Sequence, residues 1–264
     1  MNYTNKTIWI TGASSGIGKG LAFAFANRGA NLILSSRNEE KLNKVKNACK
    51  DSDKVKVLPL DLADFSSFEN KAKIAVDFFN GIDILINNGG ISQRSFAKET
   101  SFQVDQKILN INFLGSVALT KALLPHFIDR KQGQIVVISS IMGKIGTPLR
   151  TSYAASKHAL HGFFDSLRAE VYNDNISVTI LCPGYVNTNV SINALSGDGS
   201  KHNKNDPGNA NGMSTNAFAE KAIKAISKQK QEIIIAGAKE SMAVYLKRFF
   251  PSILSNIVRK IDVT

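Results

Sequence analysis

The chain has 264 residues, 43% of them hydrophobic and 20% charged, and 33 Lys and Arg against 21 Asp and Glu give a net charge of +12. These proportions exclude a disordered or fibrous protein and allow one large α/β unit with a full core. The positive balance attracts anions, whether a phosphorylated small molecule or an acidic membrane surface; nucleic acid is not an expected partner, because no binding module and no Lys/Arg run interleaved with stacking aromatics is present.

Ile8-Trp-Ile10 is a short apolar run ending in Thr11. Gly12-Ala-Ser-Ser-Gly16-Ile-Gly18 follows, then Leu21, Ala22, Phe25 and Ala26 at helical spacing. This predicts strand, glycine turn and helix, with Gly29 closing the helix in a left-handed conformation. Leu32-Ile-Leu34 reads as a second strand, and Asn38 as the N-cap of a helix whose first turn holds Glu39 and Glu40. The alternation continues as strand 55–58, helix 65–79, strand 82–86, helix 102–124, strand 135–138, helix 152–172, strand 176–181, helix 215–227 and strand 232–236. Seven strands separated by helices predict a single Rossmann-type, doubly wound α/β domain over 1–264, its mostly parallel sheet covered by helices on both faces.

Two stretches fall outside the alternation. Residues 196–212 hold four Gly, four Asn and Ala210 as their one aliphatic side chain, too little apolar surface to offset ordering, so 189–213 is expected to be a mobile loop. From 238 to 264, Met242, Tyr245, Leu246, Phe249 and Phe250, then Ile253, Leu254, Ile257 and Val258, draw apolar stripes on two helices split by Pro251. Lys239, Lys247, Arg248, Arg259 and Lys260 against Glu240 give 239–260 a local charge of +4. The stripes would cover a pocket or rest on an anionic membrane surface.

Cys49 and Cys182 are far apart in patterned segments, which predicts reduced thiols in a cytoplasmic protein. Met-Asn-Tyr-Thr-Asn-Lys-Thr has no apolar leader and no run of 18 apolar residues follows, so neither export nor a membrane span is expected. His158 and His161 share a helix face without a third ligand, so no metal site is expected.

The glycine turn sets backbone N–H groups and a helix N-terminus where a pyrophosphate can sit, although its spacing is Gly-x-x-x-Gly-x-Gly rather than the standard dinucleotide fingerprint. The second strand ends Ser35-Ser36-Arg37. A carboxylate there would hold an adenosine ribose and repel a 2′-phosphate, whereas Arg pairs with that phosphate, so NADP(H) is the expected cofactor. Ser140 lies just beyond strand 135–138, and Tyr153 and Lys157 are four apart on one helical face, so a hydroxyl, a phenol and an ammonium converge.

Thr11-Gly-Ala-Ser-Ser-Gly-Ile-Gly18, Asn87-Asn-Gly-Gly90, Asn112, Ser140, Tyr153-Ala-Ala-Ser-Lys157 and Pro183-Gly-Tyr-Val-Asn-Thr188 resemble, in order and spacing, the motifs of the classical short-chain dehydrogenase/reductase family. The resemblance extends over most of 7–190. It implies that Asn112, Ser140, Tyr153 and Lys157 are catalytic: Tyr153 donates the proton, Lys157 favours phenolate and grips a ribose, Ser140 orients the substrate oxygen, and Asn112 holds a relaying water. The family spacing of 13 residues before the tyrosine selects Ser140 over Ser139. By the same resemblance Gly12, Ser14, Ser15, Gly16, Ile17 and Gly18 cradle phosphates, Ser36 and Arg37 meet the 2′-phosphate, and Asp61 and Leu62 meet the adenine. Asn87 and Gly89 lie by the adenosine ribose, Asn88 and Gly90 also bind the cofactor, and Pro183, Gly184, Val186 and Thr188 border the nicotinamide. Gly89 departs from the family's usual Ala.

Ala154-Ala-Ser-Lys-His-Ala-Leu160, Gly162-Phe-Phe164 and Met213-Ser-Thr215 look most like the branch of the 11β-hydroxysteroid dehydrogenases and the member-7 group. The resemblance implies a small carbonyl or alcohol substrate and a homodimer or homotetramer joined through helices 102–124 and 152–172. A pocket near Met142, Leu149, Tyr185, Val190, Tyr245 and Phe249 would be mainly apolar and would suit a lipid-like, steroid-like or aromatic substrate.

Overall fold

The computed structural model describes residues 2–260; the last residues of the C-terminal extension, 261–264, lie outside it. Seven strands form one sheet: β1 (Thr7–Thr11), β2 (Asn31–Ser35), β3 (Val55–Val57), β4 (Ile84–Asn87), β5 (Gly133–Ile138), β6 (Ile176–Pro183) and β7 (Glu232–Ile235). Their order is β3-β2-β1-β4-β5-β6-β7, and every neighbouring pair is parallel. Between them run α1 (Gly16–Ala26), α2 (Glu39–Asn47), α3 (Phe68–Asp77), α4 (Phe102–Leu109), α5 (Gly115–Arg130), α6 (Thr151–Glu170), the short α7 (Pro207–Ala210) and α8 (Thr215–Ile226). Helices α9 (Ala238–Phe249) and α10 (Pro251–Val258) follow β7, split at Pro251 as the sequence predicts.

Side chains alternate across each strand. Ile8 and Ile10 of β1 join a core with Leu21, Phe25, Leu34 and Phe218, while Trp9 enters the opposite core with Ile33, Leu85, Leu123, Phe127 and Phe164. The buried Trp9 indole donates to Ser35 Oγ at 2.8 Å, and Ser35 Oγ donates to the Leu58 carbonyl at 2.6 Å, so a polar chain crosses the sheet with its donors satisfied.

Local signals act as read. Asn38 Oδ1 accepts from the Lys41 backbone N–H at 2.7 Å at the start of α2, and Gly29 has φ +80°. Predicted helix 65–79 begins with a 3-10 turn at Phe65–Ser67, and predicted helix 102–124 is interrupted by a π turn at Asn110–Leu114. The stretch Phe102–Arg130 is long and apolar enough to cross a bilayer, but 44% of its most apolar window is buried inside the protein.

The 189–213 segment departs most from its composition. Ser191, Ala194, Leu195, Asp206 and Asn209 within it are buried. Leu195 packs with Val104 and Ile108, and its backbone pairs with residues 92–94. Polar contacts supply the order that apolar side chains were expected to lack. In the extension, no residue of α9 is buried, and in α10 only Leu254 is.

Candidate active site

The strand order reverses between β1 and β4, and the resulting crevice lies at their C-terminal ends, where α/β sheets bind ligands. Thr11 ties the two strands together. Its Oγ accepts from the backbone N–H of Asn88 and of Gly89, both at 3.0 Å, while Asn88 Nδ2 donates back to the Thr11 carbonyl at 2.8 Å. Gly12 takes φ +64°, and a Cβ there would stand 2.8 Å from Gly89 Cα; a Cβ on Gly18 would run into the Gly12 carbonyl. The glycines thus let α1 abut the β4 turn with bare backbone, leaving its first N–H groups for an anion. Thr188 closes the other side, its Cγ2 being 3.2 Å from where a Cβ on Gly16 would lie.

Around this cradle, Ser14, Ser15, Gly16 and Ile17 are partly or fully exposed, as are Arg37 and Asp61. Ser36 Oγ is buried without a hydrogen-bond partner, and Arg37 beside it enters no ion pair among the described residues. An unmet hydroxyl and a free guanidinium at the end of β2 fit the phosphorylated ribose of a dinucleotide. Asp61 accepts from the Ala63 N–H at 3.0 Å, and Leu62 is buried. Asn87 turns inward: it is 2% exposed, its Nδ2 donates to Thr120 Oγ1 at 2.9 Å, and its Oδ1 is buried without a hydrogen-bond partner. Where the family carries Ala, a Cβ on Gly89 would meet Leu62 Cδ1 at 2.5 Å, so the missing methyl is replaced by the leucine tip. Gly184 packs against Ala236 and Glu240, and Val186 is buried and bridged to Met213.

At the far end of the crevice the Tyr153 phenol stands beside Ser140; burial raises it above the ordinary value, opposed by Ser140, Arg94 and Arg150. Lys157 Nζ lies 5.8 Å from the Tyr153 ring centroid and donates to the Ile138 carbonyl at 2.9 Å. Burial draws its ammonium down to about 8. The sequence assigns Lys157 the task of favouring phenolate; its Nζ is held between the Tyr153 ring and the end of β5, and Arg94 and Arg150 add positive charge near the phenol. Asn112, inside the π turn, has a fully engaged amide: Nδ2 donates to the Ile91 carbonyl (2.9 Å) and to Ser156 Oγ (3.0 Å), and Oδ1 accepts from Ile91 N–H (2.8 Å). Its side chain clamps α6 to the stretch after Gly90.

Three features escape a sequence reading. Arg94 and Arg150 share the Asp206 carboxylate, all three side chains being at most 6% exposed. Gln93 Oε1 accepts from the Ser152 N–H at 2.9 Å, one residue before Tyr153. Leu149 adopts φ +66°, a left-handed conformation costly for a branched side chain, immediately before Arg150. None has a local motif, since the partners are distant in the chain. Behind the site, His161 Nε2 is 2.9 Å from Ser139 Oγ and 3.8 Å from Cys182 Sγ, and Nδ1 is 3.2 Å from Glu232 Oε2 but out of line for a hydrogen bond. Contacts with His161 and Lys144 hold the Glu232 carboxyl down at about 2. Cys182 and Glu232 approach opposite ring nitrogens of His161, and His158 is turned to the Ala154 carbonyl at 2.9 Å. Ser139 therefore belongs to this rear cluster, and Ser140 faces Tyr153.

Residues 6–198 match the family described as short chain dehydrogenase. The chain belongs to the short chain dehydrogenase family. The "Dehydrogenase/reductase SDR family protein 7-like" of Drosophila melanogaster is 44% identical over 260 residues, covering 97% of this chain and 80% of the relative. The mouse "Dehydrogenase/reductase SDR family member 7B" is 41% identical over 259 residues, with 96% and 80% covered. Among solved structures, a Burkholderia phymatum short chain dehydrogenase/reductase in complex with NAD superimposes with a TM-score of 0.84 at 20% identity, over 100% of this chain and 98% of that one. These place the oxidoreductase in the branch of dehydrogenase/reductase members 7 and 7B.

Proposed function

We propose that this oxidoreductase is NADP(H)-dependent and interconverts a carbonyl and a secondary alcohol, with Tyr153 as the acid in reduction and the base in oxidation. The meeting of Tyr153, Ser140 and Lys157 beyond the glycine-lined crevice carries the reading. Bound in that crevice, the reduced nicotinamide supplies hydride. Ser140 and Tyr153 offer two hydroxyls to one substrate oxygen, which fixes the carbonyl for attack and delivers a proton as the charge develops. Lys157, lowered to about 8, exchanges a proton near neutral pH and can restore the phenol. Ser36 and Arg37 support NADP(H) over NAD(H), since no carboxylate stands at the end of β2 to repel a 2′-phosphate.

The substrate is a small carbonyl or alcohol with an apolar body: Met142, Leu149, Tyr185 and Val190 stay partly or fully exposed near the site. Tyr245 and Phe249, expected in the pocket, are 62% and 68% exposed. With Met242, Phe250, Ile253 and Ile257 they form an open apolar face. Together with the local charge of +4, that face favours contact with an anionic membrane surface over pocket cover. The partly or fully exposed Phe113, Leu114 and Phe163 on the long helices support a homo-oligomer.

The test is NADPH oxidation across a panel of apolar ketones, with Tyr153→Phe as the control. Turnover in the unmutated protein and a loss of about 10²-fold or more in the variant are expected. Equal rates in the two proteins would overturn the mechanism.

A further inference from the structure

Among the described residues, Asp206 is the one buried carboxylate, and Arg94 and Arg150 are the two buried guanidiniums. Arg94 Nε donates to Asp206 Oδ1 and Oδ2 at 3.2 and 3.0 Å and its Nη2 to Oδ2 at 2.5 Å, while Arg150 Nη2 donates to the same Oδ2 at 2.9 Å. Desolvating three charges is a poor way to gain bare stability, because an apolar cluster of equal volume does as well or better. What the charges provide is a unique arrangement. Arg94 also fastens its own stretch, Nη1 donating to Ser92 Oγ at 2.8 Å and the Gln93 carbonyl at 2.5 Å.

The three residues come from three separate stretches that meet beside Tyr153, whose phenol feels both arginines. Arg94 follows the Gly89–Gly90 turn, Arg150 stands at the start of α6 three positions before Tyr153, and Asp206 lies in the segment 189–213. That segment has few apolar anchors, and its polar ones converge here. Ser191 Oγ accepts from the Asp206 N–H at 3.3 Å and donates to Asn205 at 2.8 Å, and the Asp206 carbonyl accepts from Asn209 and Ala210 at 3.0 Å. Leu195 exchanges backbone bonds with Ser92 and Arg94 at 2.9 and 2.8 Å.

We propose that Asp206 is a positioning residue whose carboxylate, held by Arg94 and Arg150, locks the 189–213 wall against the start of the catalytic helix and so sets substrate affinity independently of nucleotide binding. Released, the wall opens while the glycine cradle on the other side of Tyr153 is undisturbed. The inference rests on the oxidoreductase reading for its kinetic arm only.

The experiment compares the intact protein with Asp206→Asn by limited proteolysis, by NADPH affinity from fluorescence and by kinetics at saturating NADPH on a ketone from the panel. Asp206→Asn should be cleaved within 196–205 about tenfold faster or more, because the open state becomes more populated. It should also raise KM about tenfold with kcat and NADPH affinity within about threefold, the pattern of lost uniform binding. Asp206→Glu, which keeps the charge, should recover much of the protection. Unchanged cleavage and KM would overturn the proposal, as would NADPH affinity falling in step with KM. Should Asp206→Asn fail to fold, Arg94→Lys, which keeps the charge but loses the fork, undergoes the same comparison with the same expected and overturning results. Proteolysis needs no turnover, so a protein inactive on every ketone defeats the oxidoreductase reading while the cleavage result still decides the lock.

Discussion

Lys157→Met should separate what this residue costs the fold from what it gives the chemistry. The methionine keeps a long flexible stem and deletes the charge. Lys157 is 5% exposed, and burial draws its ammonium from 10.5 to about 8. At about 1.4 kcal/mol per pH unit, holding the charged form in place at neutral pH costs about 3 kcal/mol. Against that stands the hydrogen bond to the Ile138 carbonyl, worth about 1 kcal/mol. The variant should therefore be more stable than the unmutated protein by about 2 kcal/mol near pH 7, while carbonyl reduction falls about 10²-fold or more. The pH dependence fixes the sign. The folded protein holds this proton less tightly than the unfolded chain, so the unmutated protein gains stability as pH rises from about 8 to 10.5, and the full cost persists below about 8. The advantage of the variant is thus largest at neutral pH and shrinks toward pH 10.5. Urea unfolding of both proteins without nucleotide, near pH 7 and near pH 10, measures it. A variant less stable at neutral pH, or an advantage unchanged in alkali, would refute the account.

Two further outcomes follow from the surface of the site and of the tail. Arg37→Ala should weaken NADPH binding about tenfold and leave NADH binding within about twofold, as expected for loss of a charge-assisted contact to the 2′-phosphate; titration by nucleotide fluorescence checks it, and equal losses for both nucleotides would contradict the assignment. Phe249→Ser with Phe250→Ser, both at exposed positions, should leave NADPH binding intact and abolish flotation with vesicles containing about 30% phosphatidylserine. Undiminished flotation would remove the tail from the membrane reading.

The sheet and its helices were legible because their signals are local: apolar runs of strand length, the Gly12-to-Gly18 turn, the Asn38 cap, and Pro251 between two stripes. Ser140, Tyr153 and Lys157 were legible for the same reason, being held by one strand end and one helix face. The Arg94–Asp206–Arg150 cluster was not, since Arg94 and Asp206 are 112 positions apart and nothing in Gly- and Asn-rich surroundings marks one Asp as buried. The orientation of Lys157 toward Ile138 was equally hidden, because helical spacing fixes the face a side chain leaves from and not the acceptor it reaches. Asn112 was placed correctly on a buried face, but the π turn around it gives no sequence pattern.

The seam between β1 and β4 has a consequence for how the protein lives in a cell. Thr11 and Asn88, which stitch it, are 77 positions apart, so the first three strands are synthesised with one edge of β1 bare until Ile84–Asn87 arrives to pair with it. An unpaired parallel edge is an invitation to wrong partners. The nucleotide cradle exists only once the seam has closed, and any dinucleotide lying across it selects the closed form by mass action. The protein's stability against unfolding should therefore rise with the concentration of a dinucleotide that binds there.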